Sequence, residues 1–201
     1  MSTPQAQPYQ KLSRADLYSL ETYAETRIAF RDRVIAHKKP RQVQLGPHAR
    51  LYFEDRLTIQ YQVQEMLRIE RVFEPKAIEE ELEAYNPLIP DGNNWKATFM
   101  LEYEDAADRK NALAELVGIE DKVWVKVGQH QPVYAIADED LERATENKTA
   151  SVHFVRFQLT PDMVAAARAG SPITVGSDHL KYRHSVELPE PARAALVRDL
   201  A

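Results

Sequence analysis

From Trp95 to Tyr103 the chain alternates without a break. Trp95, Ala97, Phe99, Leu101 and Tyr103 share one parity, and Lys96, Thr98, Met100 and Glu102 take the other. A period of two sends successive side chains to opposite faces of an extended backbone, so this segment reads as a strand with one apolar face. Shorter pieces repeat the theme. Residues 122–127 and 132–137 form a hairpin pattern across Gly128-Gln129-His130-Gln131, residues 149–159 are the longest strand candidate, and 173–176 and 181–188 add two more. Such short links suit antiparallel neighbours rather than helical crossovers, so the expected class is α+β with a mostly antiparallel sheet.

Short helices decorate that sheet. Asp105 caps one that closes at Gly118, Thr160-Pro161-Asp162 opens one that closes at Gly170, and residues 191–200 supply a terminal one. Residues 138–148 are charged and read as a loop or a brief helix. The N-terminal half is helical. Residues 13–37 form a long helix, with Ser13 and Asp16 as its capping box and Leu17, Leu20, Ala24, Ile28 and Ile35 as its apolar stripe. Pro40 ends it, and two short strands, 42–45 and 50–53, flank the turn Gly46-Pro47-His48. Pro75 opens a further helix carrying Ile78 and Leu82, which Asn86-Pro87 stops. The reading is a leader over 1–12 and one domain over 13–200, helix-rich to 91 and sheet-rich from 92.

Residues 54–72 carry two periods at once. Leu57, Ile59, Tyr61 and Val63 alternate with Thr58, Gln60 and Gln62 as in a strand, whereas Val63, Met66, Leu67 and Glu70 follow helical spacing. Length and the helix-favouring segment QEMLR decide for a helix. On it, Glu54, Thr58, Tyr61, Glu65 and Arg68 fall in one sector, opposite Ile59, Val63 and Met66. Two carboxylates, a hydroxyl, a phenol and a guanidinium suit acid–base work; the plainer reading is a solvated face with pairs such as Glu65–Arg68. Just upstream stand Arg27, Arg31, Arg33, Lys38, Lys39 and Arg41 with His37, against one acid, Asp32. Paired arginines offer a fork for carboxylate or phosphate, although acidic neighbours on the next helix would equally neutralise them.

The net charge of −5 and the absence of aromatic interleaving argue against nucleic acid as a partner. Apolar runs are no longer than stretches such as 163–167, far short of the roughly 20 residues a membrane helix needs. The start MSTPQAQPYQ has neither the basic nor the apolar region of a secretory signal, so the cytoplasm is the expected location. With no cysteine, the chain offers no thiol nucleophile and no cysteine-ligated metal. Glycine-rich phosphate loops, GxSxG, HExxH and EF-hand patterns are all missing. The six histidines show no metal spacing. A set of His153, His179 and Glu65 would make two histidines and a carboxylate, but nothing in the spacing requires them to meet.

Seven short segments carry a resemblance. PYQKL, KKPRQVQLGP, Phe53-Glu54, QEMLRIER, YNPLIP, VHFVRF and SDHLKY, in this order and spacing, resemble the bacterial domain-of-unknown-function family 3501 over nearly the whole chain. Leu180 departs from the pattern, standing where that family's turn leads one to expect proline. The resemblance implies no activity and no catalytic residues. It does imply a neighbourhood of rubrerythrin-like and iron–sulfur redox proteins, hence an accessory role in a redox or peroxide-defence system, with any cluster held by the partner. Three functions follow as expectations. The first is a binding or accessory protein whose Arg27 to Arg41 patch and Glu54 to Arg68 face meet a partner or a small anionic ligand. The second is an enzyme with Glu54 or Glu65 as general base and Arg31 or Arg41 as anchor. The third is a mononuclear metal protein using His153 or His179.

Overall fold

The computed structural model describes residues 7–141, 143–145 and 147–201. Its first half is built from helices around two short strands. After a single 3-10 turn (Arg14–Asp16) the chain runs extended to Ser19, whose hydroxyl accepts from the Thr22 amide and caps helix α1 (Leu20–Lys38). The Ser13–Asp16 capping box does form, but on the isolated turn and not on the long helix. A 3-10 turn at Lys39-Pro40-Arg41 leads into β1 (Gln42–Leu45), then β2 (Ala49–Phe53), helix α2 (Arg56–Glu70) and helix α3 (Pro75–Tyr85).

The second half holds β3 (Asn94–Leu101), α4 (Ala106–Glu115), β4 (Val123–Val127), β5 (Val133–Tyr134), β6 (Ile136–Ala137) and β7 (Val152–Gln158). It ends with α5 (Pro161–Arg168), β8 (Ile173–His179), β9 (Tyr182–Glu187) and α6 (Glu190–Val197). The class is α+β, and every strand pair is antiparallel. The strands make two sheets, ordered β1-β2-β3-β7-β6 and β5-β4-β8-β9. The segment read as one strand over 132–137 is two. It breaks at the buried Ala135, so that β5 pairs with β4 in one sheet and β6 with β7 in the other. One core joins both sheets: Phe99 and Phe157 from the first meet Val125 and Ile173 from the second, with Leu196 of α6 alongside. Tyr182 ties the sheets at an edge, donating its hydroxyl to Leu45 O at 2.7 Å and accepting from the His48 amide at 2.9 Å. The loop at Leu180 is the tip of the β8–β9 hairpin, and that side chain is 83% exposed.

The helices form smaller cores of their own. Ile59, Val63 and Leu67 of α2 pack with Leu82 of α3, Ile89 and Leu12, while Tyr23, Phe30 and Val34 of α1 cover another face of α2. The expected α1 stripe is therefore wrong in detail, since Ile28 is 76% and Ile35 45% exposed. The reason is the partner: α1 lies on α2 rather than on the main core, and it buries an aromatic face in which Tyr23 and Phe30 meet edge to face at 6.0 Å.

The buried face of α2 also differs from expectation, because it contains Thr58, Gln60 and Gln64. These amides hold the extended segment before α1. Gln64 Oε1 accepts from the Tyr18 amide at 2.6 Å, and Gln60 Nε2 donates to Asp16 O at 2.7 Å. Asn86 does the same for Leu12, accepting from its amide at 2.8 Å and donating to its carbonyl at 2.9 Å. An extended backbone that finds no sheet must bond to side chains, which accounts for the polar residues of this helix. Residues of the expected leader take part as well: the Arg56 amide donates to Pro8 O, and Lys11 Nζ reaches Ile89 O and Asp91. No helix among the described residues is long and apolar enough to cross a membrane.

Candidate functional site

Three candidate residues of α2 diverge rather than line one face. Glu65 turns to α1, where Arg27 grips it through Nε–Oε1 at 2.8 Å and a second bond at 2.9 Å. Tyr23 donates its hydroxyl to Oε1 at 2.7 Å, and Arg68 adds a bond at 3.1 Å. The Arg27 contact holds the carboxyl well below its ordinary range, at about 2. A carboxylate saturated in this way is a structural anchor between two helices and a poor proton acceptor, which removes Glu65 as general base. Tyr61 instead packs near Phe30, beneath Lys38. Glu54 and the buried Thr58 face β3, with Glu54 accepting from the hydroxyls of Thr58 and Thr98.

The histidines do not assemble with Glu65. His153, fully buried on β7, has both ring nitrogens engaged: Nδ1 lies 2.6 Å from Asp138 Oδ2, and Nε2 lies 2.8 Å from Thr149 Oγ1 and 3.1 Å from Ala150 O. Thr149 in turn donates to Glu120 at 2.8 Å. His179 sits at the end of β8, its Nε2 3.2 Å from Val117 O. Among the described residues no three metal-ligating side chains converge.

What does assemble is a cleft at the C-terminal end of α1 and the start of α2, of about 730 Å³, within the usual range for small-molecule sites. Arg33, His37, Arg41, Asp55, Arg56 and Arg198 line it. Local chemistry explains the geometry. Asp55 is the N-cap of α2, its Oδ1 accepting from the Thr58 amide at 3.0 Å. Pro40 tightens the turn after α1, so Arg41 points inward instead of continuing the helix. The guanidinium of Arg41, 2% exposed, binds Asp199 bidentately at 2.8 and 2.7 Å and reaches Asp55 Oδ2 at 2.9 Å. His37 Nε2 lies 2.6 Å from that same Asp55 oxygen. Burial pushes Asp199 up to about 6 against the pull of Arg41. For Asp55 burial also acts upward, but the His37 and Arg41 contacts outweigh it and hold the carboxyl below its ordinary value.

The charges of this cleft do not balance internally. Arg56 pairs with Asp16 at 2.6 Å, and Arg41 has its two aspartates. Arg33, which lies over the Phe30 ring, and the exposed Arg198 take part in no ion pair among the described residues. The Nε–H groups of Arg41 and Arg56 are both buried without an acceptor. Of the residues expected at a site, Arg41 is here, Arg27 serves Glu65, and Arg31 is exposed on α1. Sequence reasoning missed Asp55, Arg56 and Arg198, and named His37 and Arg33 only as members of the basic run expected to meet a partner or an anion. The Asp55-Arg56-Leu57-Thr58 capping spacing was a readable signal for the first.

The family model for a protein of unknown function (DUF3501) matches residues 11–200, and the chain belongs to that family. A solved structure of similar fold is described as a novel protein of unknown function from Burkholderia pseudomallei K96243. It is 50% identical, with a TM-score of 0.90, over 96% of this chain and 100% of that one. No curated protein matches.

Proposed function

We propose that this member of the family is a binding protein for a small, multiply charged anion, held in the cleft between α1, α2 and the C-terminal segment. The observation that carries the reading is Arg41: a buried, permanently charged guanidinium among the residues that line the cleft, whose Nε–H has no acceptor. A buried donor without an acceptor is costly, and an anion seated in the cleft would supply one. Arg33 and Arg198 supply uncompensated positive charge at the mouth, and Gln60 adds an amide at the wall. Planar forks of this kind match phosphate or carboxylate oxygens. The iron–sulfur or rubrerythrin-like partner that the family resemblance implies is no part of this reading.

Calorimetric titration with pyrophosphate and with citrate, at constant ionic strength, tests the proposal. Saturable binding to the wild-type protein, weakened at least tenfold by Arg33→Ala combined with Arg198→Ala, is the expected result. Equal affinity in that variant, or no binding of either anion, counts against it.

One observation favours a second reading. His37 is 27% exposed at its side chain and is oriented by the nearly buried Asp55, an arrangement that lets a histidine move protons at a bound anion. In that case the general base is His37, not Glu54 or Glu65, and His37→Gln would keep anion binding while losing turnover of a phosphate ester.

A further inference from the structure

Just before the start of α2, Glu54 lines a second cavity, of about 240 Å³, bounded by β3, β7 and the turn after α3. Its apolar wall is Pro87, Leu88, Ala97, Phe154 and Val155. For scale, an engineered apolar cavity of roughly 150 Å³ already accepts benzene. The charged side chains at its rim are nearly all neutralised by neighbours. Lys96 pairs with Asp91 at 2.8 Å and donates to Pro87 O and Ile89 O, Arg156 pairs with Glu139 at 2.7 Å, and Asp140 pairs with Arg143 at 2.7 Å. Glu54 is the exception. Its carboxylate is half-buried and takes two hydroxyl donors, Thr58 and Thr98, but no cation among the described residues lies within ion-pair distance. Two hydroxyls fill about half of the acceptor positions an ionised carboxylate offers.

A half-buried carboxylate without a cation, beside an apolar hollow large enough for a ring, is an arrangement that a positive ligand completes. We infer that this cavity binds a small organic ammonium ion with an apolar body, Glu54 receiving the ammonium and the Leu88–Phe154 wall the hydrocarbon. The site selects the opposite charge from the cationic cleft and shares no lining residue with it.

Benzylammonium is a suitable probe, with benzyl alcohol as the neutral analogue of the same shape, in an NMR titration followed at the methyl groups of Val155 and Leu88. Saturable shifts at both residues with benzylammonium, and at least tenfold weaker binding of benzyl alcohol, are expected. Glu54→Gln, which removes the charge and keeps an acceptor oxygen for one of the two threonine hydroxyls, should lower benzylammonium affinity at least tenfold. Leu88→Trp fills the hollow without touching the carboxylate and should abolish binding, which keeps the test decisive if the first variant folds poorly. Equal affinity for amine and alcohol, no shift at Val155 and Leu88, or undiminished binding to Leu88→Trp would overturn the inference.

Discussion

Arg41 and Asp199, 158 positions apart in the chain, form a bidentate ion pair closed off from solvent. The pair fastens the C-terminal segment to the turn after α1, and it fixes the guanidinium whose Nε–H has no acceptor.

Breaking this pair from one side leaves Arg41 buried with Asp55 as its remaining carboxylate. Asp199→Ala is expected to destabilise the fold by about 3–5 kcal/mol in urea denaturation, whereas the double change Arg41→Met with Asp199→Leu should recover only part of that loss, because Asp55 is then left with His37 as its one charge partner among the described residues. The recovery separates the penalty of an orphaned charge from the loss of packing.

Glu65 makes a pH-dependent contribution of definite sign. Its folded value of about 2 lies below that of an unfolded glutamate, near 4.5. The stabilisation is therefore complete above pH 4.5 and is lost as the pH falls toward 2. At pH 7, Glu65→Gln should cost about 1–2 kcal/mol, a discounted figure because Arg27 is one-third exposed. At pH 2 the variant and the wild type should unfold at similar denaturant concentrations.

The glutamines of α2 are expected to control the segment before α1. Gln64→Leu removes the acceptor of the Tyr18 amide and should cost about 1–3 kcal/mol. Hydrogen exchange at Tyr18 should accelerate at least tenfold, with a smaller change at Leu12, which Asn86 holds separately. Unchanged protection at Tyr18 would refute the clamp.

Gly176 on β8 pairs with Trp124 on β4, and the indole lies where a methyl group on Gly176 would stand. Gly176→Ala must displace the ring, at about 1–3 kcal/mol. Trp124 should become more accessible to acrylamide quenching while the fully buried Trp95 stays protected.

The strand pattern of β3 and its antiparallel neighbours was legible because burial on one face of a sheet imposes strict alternation, and Trp95, Ala97, Phe99 and Leu101 are all buried. The helix over α2 was legible too, but its faces were not. Pattern reading assigns polar residues to solvent, whereas Gln60 and Gln64 are buried to bond an extended backbone from another part of the chain. The exposed Ile28 and Ile35 misled in the opposite direction, since α1 meets one helix and not a layer. The cleft was half-visible. The basic run around Arg41 and the cap at Asp55 are local features, but Arg198 and Asp199 reach them only through the tertiary fold, and no spacing in the sequence announces that.

The buried Arg41 Nε–H is the donor that the proposed anion engages, and its own side-chain resonance reports this most directly. In a ¹H–¹⁵N titration of the arginine Nε–H groups with pyrophosphate at constant ionic strength, Arg41 is expected to shift downfield and exchange more slowly with water, saturating together with Arg33. Shifts confined to exposed arginines such as Arg31, with Arg41 unmoved at saturation, would contradict it.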